Sequence, residues 1–274
     1  MPENGQVEPI PPVKDLASSE PSVRRACLKT IISHLTERAA SSPLTSTQCL
    51  QLWRGLYVAL YMHDSKNALS VQQLAAELAA TVKLMAAKDE EATSSGEDDE
   101  NSNGNSKSNS NNSPSWLDTW ATAFWETICR EWTTIDQWRM NKVLMLVRFF
   151  LRETFNVCFT AIANDTDSTN SKDLVLRQKQ ILETWPLSPR ERKVPDGLRL
   201  HVLDVWVDEL LGQLDVVRQS GTVDDDDNAV AASLQQVAQD FMTPVETISR
   251  QALSKGVKMR AKDAIQLFQE KTSS

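Results

Sequence analysis

The side chains able to do acid, base, nucleophilic or metal chemistry are few in this sequence, and they are scattered. His34, His63 and His201 are the only histidines, too far apart in the chain to read as a catalytic pair, so each is taken as a surface or packing residue. Cys27, Cys49, Cys129 and Cys158 form no CxxC pair and have no paired histidines beside them, which makes them buried thiols of a reducing compartment and not metal ligands or disulfides. The carboxylate run Asp224 to Asp227 has the hard oxygens a divalent cation prefers, but an acidic run of this kind is ordinarily a solvated loop. The eight glycines form no phosphate-binding loop or dinucleotide fingerprint, and neither a GxSxG nor an HExxH motif occurs. No enzyme, cofactor, metal or small-molecule substrate is expected.

Charge chemistry is richer. Glu131 falls within the apolar arc of a tryptophan-rich segment, where an ionised carboxylate needs a partner. Arg130, Arg139 and Arg148 are the candidate cations, and the pair is expected to set how two long helices dock. The alternative is that Arg130, Arg139 and Lys142 form an exposed basic cluster for phosphate contacts. A second basic group comprises Arg250, Lys255, Lys258, Arg260 and Lys262, with no acid between its ends. It reads either as cations suited to a helix terminus and to solubility, or as a patch for an RNA backbone or an acidic partner. Arg190, Arg192 and Lys193 form a lesser cluster on a loop. No strand pattern with an aromatic platform accompanies any of these, so an RNA-recognition motif is excluded.

The elements that must position these charges are helical. Trp116, Trp120, Trp125, Trp132 and Trp138 are five of the eight tryptophans of the chain. On a helix over 116–132 the apolar residues Trp116, Leu117, Trp120, Ala121, Phe124, Trp125, Ile128 and Trp132 cover an arc of roughly 180°, broader than a surface helix requires. Such a helix is covered on two sides, with one or two rings at its ends, Trp116 or Trp138, left for partners. Helical spacing also predicts a helix capped by Ser22, another opening at Thr45 or Thr47 in which Gly55 admits a close neighbour, and a third from about Ser70 through Met85. Thr134 to Gln137 has the form of a capping box, and the run from Val143 to Phe159, apolar almost all round, is expected to be the buried central helix. Later helices are predicted over 172–184, 198–217, 229–242 and 244–268, with a break at Trp185 to Pro189 because Pro186 and Pro189 remove backbone donors. Period-two alternation is nowhere sustained. The fold class predicted is all-α, paired antiparallel helices in a HEAT-like helical repeat scaffold.

Composition fits that class. The chain has 274 residues, 41% hydrophobic and 24% charged, with no apolar stretch long enough to span a membrane and an N-terminus unlike a secretory signal, so a soluble intracellular protein is expected. Residues 1–19 are read as an extended arm and 20–274 as one helical domain, interrupted by an acidic, Ser/Asn-rich insert at 88–115 expected to be disordered. Asn164 to Lys172 and Ser220 to Asn228 are read as loops. Of the net charge of −8, the insert carries −5 and Asp224 to Asp227 carry −4, so the remaining body is close to neutral and the overall charge says little about partners.

The segments Leu52 to Tyr57 and Met62 to Asp64, followed by Phe124 to Arg148, resemble the nucleolar ribosomal RNA-processing protein 1 family. The second stretch is the more specific. With a weaker similarity around Leu198 to Leu214, the resemblance covers about 22–242. It implies a non-enzymatic assembly factor of the early nucleolar pre-60S particle, required for processing of large-subunit pre-rRNA. The implied partners are pre-60S assembly factors and ribosomal proteins, with the pre-rRNA backbone as a further contact, and the implied location is the nucleus and nucleolus. Two departures stand out: the insert at 88–115, and a sequence that stops at Ser274 where family members commonly continue into a long lysine-rich tail. If such a tail is absent, the helical body is expected to act mainly through protein contacts. A general helical-repeat adaptor outside ribosome assembly is the alternative.

Overall fold

The computed structural model describes residues 8–64, 66–94, 115–166, 168–220 and 228–273, and among them every regular element is helical. The chain runs through α1 (Pro21–Glu37), α2 (Ser46–Tyr61), α3 (Ala68–Ala79), α4 (Thr81–Ser94), α5 (Trp116–Glu131), α6 (Met140–Asn164), α7 (Thr169–Thr184), α8 (Asp196–Gln219), α9 (Asn228–Asp240), α10 (Thr243–Gln251) and α11 (Lys255–Thr272).

These helices stack as antiparallel hairpins, the HEAT-like arrangement expected. One layer is α2, α5, α7 and α10; the other is the α3–α4 pair, α6, α8 and α11, each helix packing on the next of its layer. Neighbours within a layer run in the same sense, as their cross-links show. Trp53 Nε1 donates to Trp120 O at 3.1 Å and, at the end of α2, Tyr61 Oη donates to Asp136, just past the end of α5, at 3.0 Å. Between α6 and α8, His201 meets Leu144, Arg148 meets Glu209 and Asn156 meets Gln213. Between α8 and α11, Asp204 pairs with Arg260 and Asp208 with Lys271. Helix α1 is joined to α3 by the Arg25–Glu77 pair, while α9 packs on α6 and α8.

The aromatic run behaves as its wide arc requires. Trp116, Trp120, Phe124, Trp125, Ile128 and Trp132 are all buried. The Phe124 and Phe150 rings stack with centroids 3.7 Å apart, and Trp53 lies 4.8 Å from both Trp120 and Phe124. Aromatic contacts of this kind add to the area each ring removes from water.

Several local expectations are corrected. Glu20, not Ser22, precedes α1, and Pro21 supplies its first turn; Thr45 with Gln48 forms the capping box of α2. The run expected as one helix from Ser70 bends at Ala80, where Thr81 Oγ1 donates to Leu78 O and accepts Trp120 Nε1 at 2.9 Å. The Thr134 capping box does not form: α6 begins at Met140, because Asp136 is engaged by Tyr61 and by its own downstream backbone. The segment expected as one helix over 244–268 is α10 and α11, parted at Ala252 to Ser254. The acidic insert is shorter than 88–115: residues 88–94 complete α4 and Ser115 caps α5, while 95–114 lie outside the described residues. Within the expected arm Lys14–Ala17 forms a 3-10 turn and Leu16 is fully buried; Leu16 and Val13 sit where a Cβ on Gly55 would be, so the close neighbour of Gly55 is this segment.

Candidate functional site

Because all the hairpins turn the same way, their turns collect on one edge: residues 62–67, 132–139, 185–195 and 252–254. The opposite edge gathers the joins from one hairpin to the next, at Ser94 and Ser115, at 164–168, and after Gln219. This topology sorts the charges. Asp89, Glu90, Glu91 and Asp165 belong to the joining edge, and the linking sequences 95–114 and 221–227 carry Glu97, Asp98, Asp99, Glu100 and Asp224 to Asp227. The turn edge carries Arg190, Arg192, Lys193, Lys255 and Lys258, none in an ion pair among the described residues, alongside Asp64, Glu131, Asp136, Glu191, Asp196 and Glu246.

Its turns are built from polar anchors. Lys142, only 4% exposed, extends from the first turn of α6 and donates its ammonium protons to the carbonyls of Tyr61, at 3.2 Å, and of His63. A cation there complements the negative end of α2. Burial, with Arg139 nearby, holds the Lys142 pKa below its ordinary value, and burial next to Lys142 does the same for His63. Lys142 therefore closes a turn and is not part of an exposed phosphate-binding cluster, which corrects the sequence reading.

Asp136 organises the second turn. Its carboxylate accepts from the backbone N–H groups of Trp138 and Arg139, each at 3.0 Å, from Tyr61 Oη, and from the Arg139 guanidinium, which also lies over the Tyr61 ring at 4.6 Å. Despite some desolvation, these hydrogen bonds, led by that from Arg139, hold the Asp136 carboxyl below the usual carboxylate range. The turn presents Trp138 at 78% exposure. Trp116, the other ring expected to be free, is buried and donates Nε1 to Ala40 O at 2.9 Å.

The third turn is clamped by buried Arg199, whose guanidinium donates to the carbonyls of Ser188 at 2.8 Å, Glu191 at 2.7 Å and Val194, and pairs with Asp196. Arg190, Arg192 and Lys193 remain exposed on the clamped loop, and none of them forms an ion pair among the described residues. Trp132, against which Gly197 packs too closely for a Cβ, ties this loop to the end of α5. At the fourth turn Leu253 is exposed, Arg250 pairs with Glu246, and Lys255 and Lys258 form no ion pair among the described residues. Arg260 and Lys262 lie further along α11; Arg260 is taken up by Asp204, and Lys262 is exposed.

The Glu131 expectation is half met. Glu131 pairs with Arg130 at 3.1 Å, but the two are sequence neighbours at the surface, so the pair joins no helices. Arg139 goes to Asp136, and Arg148 goes with Arg152 to Glu209 on α8. Glu209 is the buried carboxylate that docks two long helices. Its signal was available: it follows Val205 and Trp206 at helical spacing on the buried face of α8.

Burial pushes the Cys49 and Cys129 thiols up to about 12 and raises that of Cys158 as well, so none is a ready nucleophile. Among the described residues no three His, Cys, Asp or Glu side chains gather to hold a metal ion, and no helix is long and apolar enough to cross a membrane. Asp224 to Asp227 lie outside those residues.

A family model described as nucleolar protein, Nop52 matches residues 7–274. The chain is 25% identical over 197 residues to mouse ribosomal RNA processing protein 1 homolog B, covering 71% of this chain and 22% of that protein. It is 28% identical over 198 residues to human ribosomal RNA processing protein 1 homolog B, covering 71% and 21%, and 26% identical over 199 residues to the Drosophila melanogaster ribosomal RNA processing protein 1 homolog, covering 72% and 24%. The chain thus spans about a fifth to a quarter of the length of these relatives.

Proposed function

The chain belongs to the Nop52 family of nucleolar proteins, and from that premise we propose that it is a non-enzymatic factor in ribosomal RNA processing, acting in the nucleolus on the early precursor of the large ribosomal subunit. Its contribution is architectural. It holds neighbouring assembly factors, ribosomal proteins and pre-rRNA in the arrangement that the processing enzymes recognise, and so affects cleavage indirectly.

One observation carries this reading: the turns of the stack are anchored by polar groups, the buried Lys142 and Arg199 and the half-buried Asp136, while Trp138, Arg190, Arg192 and Lys193 between those anchors are exposed. Rigid anchoring of exposed side chains suits display to partners. Each hairpin of such a stack touches only its neighbours, which leaves long faces and edges open for docking.

Depletion of the protein is expected to make large-subunit pre-rRNA intermediates accumulate, read by hybridisation to spacer probes, with small-subunit intermediates little changed. An unchanged profile would overturn the proposal. A tagged chain spread through the cell with no nucleolar concentration would favour the general adaptor instead.

A further inference from the structure

We propose that the turn edge binds single-stranded RNA, with Trp138 stacking on a base and the cations of the adjoining turn, Arg190, Arg192 and Lys193, meeting the phosphates. This deepens the reading above, on which it rests for the presence of RNA, by naming the class of partner and the residues that take it.

The first ground is the state of Trp138. Every other tryptophan between Trp116 and Trp132 is buried, yet Trp138 is exposed on a turn that is fixed, not loose. Asp136 bonds the backbone on either side of its peptide, and Arg139 is held by both Asp136 and the Tyr61 ring. A ring presented in this way loses little freedom when something stacks on it. Its own turn is mostly polar, with Thr133, Thr134, Asp136, Gln137 and Arg139 around it in the chain and Ile135 packed partly against the core. The apolar surround that excludes water from an aromatic anchor between proteins is not supplied by that turn. A base, which offers a flat face and a charged backbone together, fits it better.

The second ground is the distribution of charge. Arg190, Arg192 and Lys193 form no ion pair among the described residues, nor do Lys255 and Lys258 one hairpin further on. Arg199 holds the third turn from inside, so its cations face solvent from a supported loop. Stacked helices lie roughly 8–10 Å apart, so charges on successive turns form a spaced row instead of a cluster. A row suits an extended polyanion. At the joining edge Asp89, Glu90, Glu91 and Asp165 outnumber Lys88, which pairs with Glu91, so that edge is the less favourable of the two for the same ligand. Stacking requires an unpaired base, which excludes a continuous duplex as the preferred form.

Fluorescence anisotropy of the purified chain with a labelled oligouridine of about 15 nucleotides tests this, since single-strand sites span roughly 4–16 nucleotides. Binding is expected at low salt, with a duplex of equal length at least about fivefold weaker. Trp138→Ala should weaken binding about tenfold while Trp138→Phe retains most of it. The triple variant Arg190→Ala, Arg192→Ala, Lys193→Ala should weaken binding and lower the slope of log affinity against log salt by about 2, since each lost single-strand phosphate contact removes about 0.7. Circular dichroism and thermal melts establish that the variants fold. Absence of low-salt binding by the unaltered chain, or folded variants that bind as it does, would overturn the inference. So would a Trp138→Ala chain that binds RNA normally but loses a protein of the large-subunit precursor, which would assign the ring to a protein partner. If RNA binding fails while depletion still disturbs the pre-rRNA profile, the architectural role stands and only the RNA contact falls.

Discussion

The joint between α2, α5 and α6 and the joint between α6 and α8 share a helix and are made of different materials. The first is a block of rings, Trp53, Trp120, Phe124, Trp125 and Phe150, in mutual contact. The second is laced by polar links: Glu209, 4% exposed, accepts from Arg152 at 2.7 Å and from Arg148; His201 Nε2 donates to Leu144 O at 2.9 Å; and Asn156 meets Gln213 at 3.0 Å. Burial of apolar area is strong but non-directional, whereas hydrogen-bonded charge contributes less and tolerates less displacement. Both joints bury rings, Phe155 meeting Trp206 at 5.1 Å between α6 and α8, and the polar links added on the α8 side are what fix register there.

The largest effect should come from the ring side. Phe150→Ala is expected to cost about 3–5 kcal/mol in urea unfolding, because the space between Trp53, Phe124 and Trp125 cannot collapse easily. Glu209→Gln should cost less, about 1–3 kcal/mol, since the buried carboxylate is replaced by an amide while Arg148 and Arg152, both partly exposed, can turn to water. If Glu209→Gln proved the more damaging, the polar links would do more than fix register.

Acidification should also act on the polar side. Burial lowers the pKa of His201 from 6.5, and His63 shifts in the same direction for the same leading cause. The neutral imidazole is thus favoured in the folded chain, so its stabilising effect is complete above about pH 6.5. Below that the unfolded chain binds the proton first, and stability declines as the pH falls toward the folded value. Thermal melts between pH 7 and 5 should show the decline, reduced in His201→Gln. A flat profile would mean that His201 is dispensable to the α6–α8 joint. The smallest effect is expected from Glu131→Gln, within about 0.5 kcal/mol, because its pair with Arg130 is exposed and local. A large loss there would give Glu131 the docking role that the structure gives to Glu209.

That contrast also shows what could be read in advance. Apolar spacing located most helices, and the breadth of the tryptophan arc correctly placed α5 between two neighbours. Breaks were harder, because Ala80 lies in a run of good helix formers and the bend depends on Thr81 meeting Trp120, distant in sequence. The capping letters at Thr134 were outweighed by Tyr61, a competitor visible only once the first two hairpins are stacked. The candidate cations were identified by type, but their common edge was not. It follows from hairpin direction, which no single residue encodes, and the same folding buried Lys142.

Asp89, near the end of α4, accepts hydrogen bonds from Ser115 Oγ at 2.6 Å and from the backbone N–H groups of Trp116 at 2.7 Å and Leu117 at 3.1 Å. A single carboxylate therefore buttons the two helix ends together, independently of whatever sequence joins them. Since the entropy of closing a loop grows only slowly with its length, the join between Ser94 and Ser115 is a natural splice point. A fluorescent or affinity module placed there would ride on the edge away from the turns, and the chain could be followed in cells with Trp138 and its neighbouring cations left unobstructed.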